Sequence, residues 1–342
     1  RNIAIFIPYL GCPFRCCFCQ QQRISDTLHY PSPAQVKDHI ETALSTIPAG
    51  TDVEVAFFGG TFTSIPEKMQ NDYLECARPY LEKGKVKGIR LSTRPDAIDG
   101  ERLKELKRRG VTTIELGVQS LDTEVLRLSE RGYEPDQVVK ACQMIHYAGI
   151  RLGIQLMVGL PGDNFRKDLD TTRQVIQLHP DMVRIYPTLV IKGTELEQAF
   201  QEGRYQPLTL EEAVDITAAM YMRFRRAHIP VIRMGLHPGE ELQRTDTVVA
   251  GPFHPAFGEL VLQKVALEQA RFLIKAYLPT ADNHQALILF CPPRELSQLV
   301  GPQRSNILAL QKEFGLNELA VKSDESLPSG SIGAGNHQGM TA

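Results

Sequence analysis

Short apolar runs alternate with stretches of helical periodicity over the first two thirds of the chain. Ile3–Leu10 is an almost unbroken apolar run, the pattern of a strand buried in a sheet, and a cysteine-rich stretch follows it at once. Ala34–Thr46 repeats at helical spacing. Val53–Phe58 reads as a second strand closed by Gly59-Gly60-Thr61, Lys68–Leu81 as a helix, and Gly88–Leu91 as a third strand ending in Ser92-Thr93-Arg94-Pro95. Gly100–Arg109 is helical, with Glu101 early and Lys107-Arg108-Arg109 late, the order that suits a helix dipole. Thr113–Val118, Arg151–Val158 and Met182–Tyr186 supply strands four to six, with helices at Pro135–Ala148 and Phe165–Leu178 between them. Helices are also expected over Glu195–Gln201 and Leu210–Ala227.

This alternation predicts an α/β architecture with a parallel sheet. Six strand–helix units fit residues 1–235, fewer than the eight that close a full barrel, so a partial (β/α)6 barrel is expected. Beyond it the pattern changes. Gly251–Gly258 is too rich in Pro and Gly to be regular, and Glu259–Tyr277 is helical; residues 236–278 read as a connecting loop and helix. Gln285–Phe290, Arg294–Val300, Asn306–Phe314 and Leu319–Lys322 give the order β-α-α-β, a small α+β domain over 279–328. Residues 329–342 are small and polar and are expected to be disordered.

Composition changes this picture little. With 42% hydrophobic and 23% charged residues, the 342-residue chain is ordinary for a globular protein, and one large plus one small domain suits its length. A formal net charge of −2 gives no global attraction to nucleic acid. No apolar run reaches the roughly 18 residues of a membrane helix, so no membrane partner is expected. Residue 1 is Arg, so the natural start is expected upstream. Seven scattered cysteines without a signal peptide argue against a disulfide framework and for the cytoplasm.

The chemistry concentrates in Gly11-Cys-Pro-Phe-Arg-Cys-Cys-Phe-Cys19. Cys12, Cys16 and Cys19 are spaced C-x3-C-x2-C, with the aromatic Phe18 before the last of them. A 4Fe–4S cluster commonly takes four thiolates; three from one loop leave one iron open. S-adenosylmethionine on that iron would make the chain a radical enzyme. A structural zinc site wants four N/S ligands, often as two C-x2-C pairs, and the next cysteine is Cys76. Cys17 could slip the register to C-x4-C-x-C; it is read as a bystander.

The loop and the barrel pattern resemble the radical SAM superfamily. Gly59-Gly-Thr-Phe-Thr-Ser64, Ile114-Glu-Leu-Gly-Val-Gln-Ser120, Ile185-Tyr-Pro-Thr-Leu-Val-Ile-Lys-Gly-Thr194 and Gly203-Arg-Tyr205 are similar to the radical SAM domain of the Elongator catalytic subunit. That likeness spans residues 3–235. It implies a 4Fe–4S cluster and S-adenosylmethionine as cofactors, and a one-electron donor such as flavodoxin or ferredoxin as partner. That family's N-terminal RNA-binding segment and C-terminal acetyltransferase are expected to be absent. The resemblance therefore implies the family's radical chemistry but not its product.

Ligands of parallel β/α folds bind at the C-terminal ends of strands, where the cysteine loop, Gly59–Thr61, Ser92–Arg94 and Gln119-Ser120 all fall. Gly59 and Gly60 would let the backbone approach the methionine moiety, or simply turn the strand into its helix. Thr61 could bond the methionine amino group, where superfamily members often carry Glu. Ser92 and Arg94 could take a carboxylate or ribose, unless Arg94 pairs with Asp96. Glu115, Gly117 and Gln119 share one face of strand four; a buried Glu needs an Arg partner or a ligand. Ser120 follows them. Gln155 and Met157 could line the adenine pocket or merely pack, and the resemblance places the turn Gly159-Leu-Pro-Gly162 beside them. Arg184 and Tyr186 alternate inward on strand six, Arg184 and Lys192 as candidate substrate contacts and Tyr186 as an electron or hydrogen relay or a packing residue only. His237 and His254 are weaker site candidates.

Three functional readings follow, distinguished by substrate. One is RNA, chiefly tRNA, from the resemblance and the basic runs Lys104–Arg109 and Arg223–Arg226. The C-terminal β-α-α-β is similar to a KH module, although Gly301-Pro-Gln-Arg304 lacks the second Gly of its GxxG loop. Another is a small molecule or peptide, since Gly117–Ser120 and Gly159–Gly162 are shared with coproporphyrinogen-oxidase-like proteins. The last is no substrate at all, in a cluster-bearing RNA-binding or regulatory module.

Overall fold

The structure, a computed structural model, describes residues 1–7, 12, 15–20, 30–236, 247–278, 286–336 and 339–341. Two compact units are present: Arg1–Ile216 with Arg223–Pro255, and Thr217–Met222 with Ala256–Ala342.

In the first unit strands β1 (Asn2–Ile7), β2 (Glu54–Gly59), β3 (Gly88–Thr93), β4 (Val111–Gln119), β5 (Arg151–Val158) and β6 (Met182–Pro187) pair in chain order, all parallel. The two-residue β7 (Val190–Ile191) leaves this sheet, and β8 (Val231–Met234) rejoins it beside β6 as a seventh strand. β9 (Val248–Ala250) pairs antiparallel with β7. The crossovers carry α1 (Pro33–Thr46), α2 (Glu67–Glu82), α3 (Gly100–Arg108), α4 (Thr123–Leu128), α5 (Pro135–Tyr147) and α6 (Phe165–Gln177). Then come α7 (Glu195–Gln201) and α8 (Leu210–Arg226). β1 and β8 are the two edges, so the barrel is open, as the α/β expectation of a partial barrel requires. The six expected units are present; β8 is only four residues long and did not stand out as an apolar run.

The sheet's two faces are unlike. One buries Ile5, Val55, Leu91, Ile114, Ile154 and Ile185. Each such side chain contributes about 1.5–3 kcal/mol on burial. The other carries Glu54, Arg90, Thr113, Glu115, Gln155 and Arg184 at alternate positions. A parallel sheet covered by helices on both faces shows near-continuous apolar strands; a polar inner face marks a lumen instead.

Charges on that inner face are paired. Arg90 reaches Glu54 at 2.6 Å and Glu115 at 2.7 Å, Arg151 reaches Glu54 at 2.7 Å, and Arg184 Nη2 donates to Glu115 at 3.0 Å. Arg184 Nε also lies 2.7 Å from Glu115 Oε2, but off the hydrogen-bond direction. Glu115 is 1% exposed. Burial alone would raise its carboxyl, but Arg184 and Arg90 outweigh that and hold it below the usual carboxylate range. Burial likewise opposes Glu54, and hydrogen bonds from Arg90, then Thr113, hold it down to about 2. Gly153 makes room for this ladder, since a Cβ there would sit 2.8 Å from Glu115 Cγ.

In the second unit α9 (Phe257–Tyr277) packs Ala270 and Ile274 onto Leu287 and Leu289 of β10 (Ala286–Cys291). α10 (Leu296–Val300) and α11 (Ser305–Phe314) add Leu299 and Leu310, and β11 (Glu318–Ser323) lies parallel to β10. The expected β-α-α-β order is therefore present, but two boundaries move. The helix expected to be a connector within 236–278 belongs to this core through its apolar side, so the units divide at Pro255/Ala256. The tail expected to be disordered forms β12 (Gly333–Asn336), antiparallel to β10 with Ala334 buried, and β13 (Gly339–Thr341). Small residues fit there because Ala334 lies against the core.

Replacing Glu115 by Ala leaves two guanidinium groups without their shared carboxylate. A loss of about 3–5 kcal/mol of unfolding free energy is expected in chemical denaturation. A loss below about 1 kcal/mol would mean that the ladder does not hold the sheet.

Candidate active site at the C-terminal rim of the sheet

The cysteine segment follows β1 and is held from three directions. Cys12 Sγ lies 2.9 Å from Thr61 Oγ1, and Thr61 is buried just past β2. Cys16 Sγ accepts from Arg131 Nη1 at 3.0 Å and lies 3.9 Å from Arg94 Nη1. The Cys19 amide donates to the Cys16 carbonyl at 2.9 Å, closing a turn that throws Cys17 the other way. Cys17 packs with Val190, Leu196 and Tyr205. Its amide donates to Ser129 O, and its carbonyl accepts from Leu196 N. Burial pushes the Cys17 thiol up to about 12, so it stays neutral. Phe18, expected in the cofactor pocket, instead lies against this apolar cluster, because the turn carries it with Cys17.

The donor set fits a cluster. Among the described residues no three His, Cys, Asp or Glu converge on a point where a single metal ion could sit. A 4Fe–4S cluster takes its thiolates on separate irons and needs no such convergence. Cys17 belongs to an apolar packing cluster, whereas the Cys16 sulfur faces the Arg131 guanidinium.

Around the loop, some expected residues come together. Gln155 Nε2 donates to Glu115 Oε2 at 3.1 Å and to Ser92 Oγ at 3.4 Å, so these three form one polar patch with Arg184. Met157 and Tyr186 are register neighbours above it, and Tyr186 interacts electrostatically with Arg184. Gln119 ends β4 with φ +69°, a conformation few side chains adopt, and its buried Oε1 has no hydrogen-bond partner among the described residues. An orphaned acceptor at the rim is what a pocket awaiting a donor-bearing ligand leaves behind.

Other expectations are corrected. Arg94 does not offer its fork to a carboxylate ligand: Nε and Nη2 each bond Asp96 at 2.9 Å, and Nη2 also reaches the Arg131 carbonyl. Gly59 is required by its own sheet, since at φ +109° a Cβ would lie 2.4 Å from Ile7 O of β1. Gly60 donates its amide to that same carbonyl at 2.9 Å. Ser120 is turned away from the rim, its Oγ 3.3 Å from Thr171 on α6 and accepting from Asp122 N. Lys192 is exposed in the turn after β7, and its amide donates to Thr247 O. Gly159 turns at φ +77°, and its carbonyl accepts from Tyr205 at 2.6 Å. His254 is half-buried after β9, and His237 lies outside the described residues.

Six contributors escaped the sequence. Arg90 and Glu54 are charges inside apolar strands, which strand alternation alone would have pointed inward. Arg131 and Tyr133 sit in the turn before α5 with no motif around them. Arg233 on β8 is the register partner of Arg184, and Phe58 stacks on the Arg184 guanidinium at 5.3 Å.

Comparison with known proteins agrees with this geometry. Residues 6–175 match the radical SAM superfamily and residues 180–266 match the radical SAM C-terminal domain. The chain belongs to the radical SAM superfamily, enzymes whose cofactors are a 4Fe–4S cluster and S-adenosylmethionine. It is 32% identical over 184 residues to a tRNA uridine(34) acetyltransferase of Methanocaldococcus infernus, covering 48% of this chain and 34% of that protein. It is 28% identical over 240 residues to Elongator complex protein 3 of Schizosaccharomyces pombe, covering 61% of this chain and 44% of the relative. The archaeal M. infernus Elp3 with an N-terminal deletion shares the fold at TM-score 0.62 and 24% identity, over 78% of this chain and 62% of that one. The chain thus spans about a third of the length of the first of these relatives. No helix among the described residues is long and apolar enough to cross a membrane.

After anaerobic reconstitution, Cys12→Ala, Cys16→Ala and Cys19→Ala should each abolish the visible absorbance of the cluster, while Cys17→Ala should keep most of it. Loss in Cys17→Ala with retention in Cys16→Ala would reverse the ligand assignment.

Proposed function

We propose that this radical SAM enzyme modifies RNA, with tRNA as its substrate class, in the cytoplasm. Cys12, Cys16 and Cys19 would hold the cluster, with Thr61 and Gln119 facing S-adenosylmethionine and Ser92, Gln155 and Met157 lining its pocket. Bound there and given one electron by a flavodoxin- or ferredoxin-type donor, these cofactors would supply 5′-deoxyadenosyl radical chemistry, with methionine released and hydrogen taken from a substrate carbon. Arg184 would contact substrate, Tyr186 would relay an electron or hydrogen beside it, and the lumen would keep water from the reacting carbon.

The observation that carries the RNA reading is the set of arginines beside aromatic rings in the lumen. Arg184 and Arg233 are register neighbours on β6 and β8, and Phe58 of β2, which stacks on Arg184, lies 6.3 Å from the half-exposed Phe6 of β1. Guanidinium groups beside aromatic rings suit a base attached to a phosphate backbone. The relatives named for tRNA uridine modification support the same class.

Binding of bulk tRNA should weaken linearly in log Kd against log salt, and Arg233→Ala should reduce both affinity and slope. Absence of tRNA and rRNA affinity at low salt would overturn the RNA reading in favour of a small-molecule or peptide substrate.

A further inference from the structure

Arg131 is only 5% exposed, and no carboxylate of the described residues pairs with it. Each of its three guanidinium nitrogens is nevertheless engaged. Nη1 donates to Cys16 Sγ at 3.0 Å, Nε and Nη2 donate to Tyr133 Oη at 3.0 and 2.9 Å, and Nη2 also reaches the Gly117 carbonyl. The Tyr133 ring lies 5.1 Å from the guanidinium centres of both Arg131 and Arg94. Arg94, neutralised by Asp96, braces the Arg131 backbone by donating to its carbonyl. A buried cation needs a negative partner. Of the side chains Arg131 touches, Cys16 is the one that carries negative charge when it ligates iron.

We propose that Arg131 is the fixed positive partner of the Cys16 sulfur and raises the reduction potential of the cluster that sulfur holds. The inference rests on Cys16 being a cluster ligand. An added electron makes the cluster more negative. A charged N–H···S bond in a buried site stabilises that extra charge, so the electron from an external donor enters more easily. Tyr133 and the Gly117 carbonyl hold the guanidinium in place, and Arg131 is a positioning and tuning residue for electron entry.

The test uses the full chain, reconstituted anaerobically, as wild type, Arg131→Gln, Arg131→Lys and Tyr133→Phe. Iron and sulfide content and visible absorbance are measured first, then the midpoint by EPR-monitored titration with dithionite. At equal cluster content Arg131→Gln should show about tenfold less reduced cluster at a fixed poise, a midpoint lower by about 59 mV for one electron. Arg131→Lys should recover part of the loss. Tyr133→Phe, which keeps the charge but loosens it, should fall between and carries the test if Arg131→Gln does not fold. Equal midpoints in wild type and variants would overturn the inference, as would a change confined to S-adenosylmethionine affinity. A cluster that survives in Cys16→Ala would instead remove the ligand assignment on which the inference stands.

Discussion

A carboxylate with 1% exposure cannot stay ionised in a sheet interior without cations beside it, and Glu115 has two. Arg90 and Arg184 reach it from β3 and β6, on either side of its own strand, and Arg90 passes the linkage on to Glu54 of β2. This ladder occupies the face that would otherwise need an apolar core. It ties four strands of the sheet in one register, because slipping any of them by one residue would turn its charge toward the helices. It also fixes the position of Arg184, and through it of Phe58 and Tyr186. The polar lumen is thus both a structural solution and the surface available to a substrate.

The cysteine loop obeys a different constraint, the opposite placement of neighbouring side chains. Cys16 and Cys17 are adjacent, yet one faces a guanidinium and the other an apolar cluster. The apolar anchor fixes the turn, and the turn leaves the Cys16 sulfur facing Arg131. Burial of Cys17 therefore does for the loop what the ion ladder does for the sheet: it removes the alternative arrangement.

The strand and helix order was legible because each β/α unit repeats one hydrophobic pattern, and the cysteine spacing was legible because the candidate ligands share one loop. Residues whose roles depend on contacts between distant segments were not. Arg131 lies 115 positions from Cys16, and nothing near Arg131 in sequence signals their meeting. Arg94 read as a ligand clamp, although Asp96 stood two residues away to claim its fork. Ser120 read as a rim residue, but the left-handed Gln119 before it turns the chain, and Ser120 faces α6. The strand at Gly333–Asn336 was hidden because Gly and Ala carry no hydrophobic pattern, and its place comes from pairing with β10.

The central claim is that three thiolates of one loop hold a cluster with an open iron for S-adenosylmethionine, and that Cys17 takes no part. The most direct measurement is the EPR spectrum of the reduced, reconstituted protein with and without S-adenosylmethionine, in the wild type and in Cys17→Ala. The account predicts that S-adenosylmethionine changes the g values in both proteins alike. An identical spectrum with and without S-adenosylmethionine, or a response that vanishes with Cys17, would contradict it.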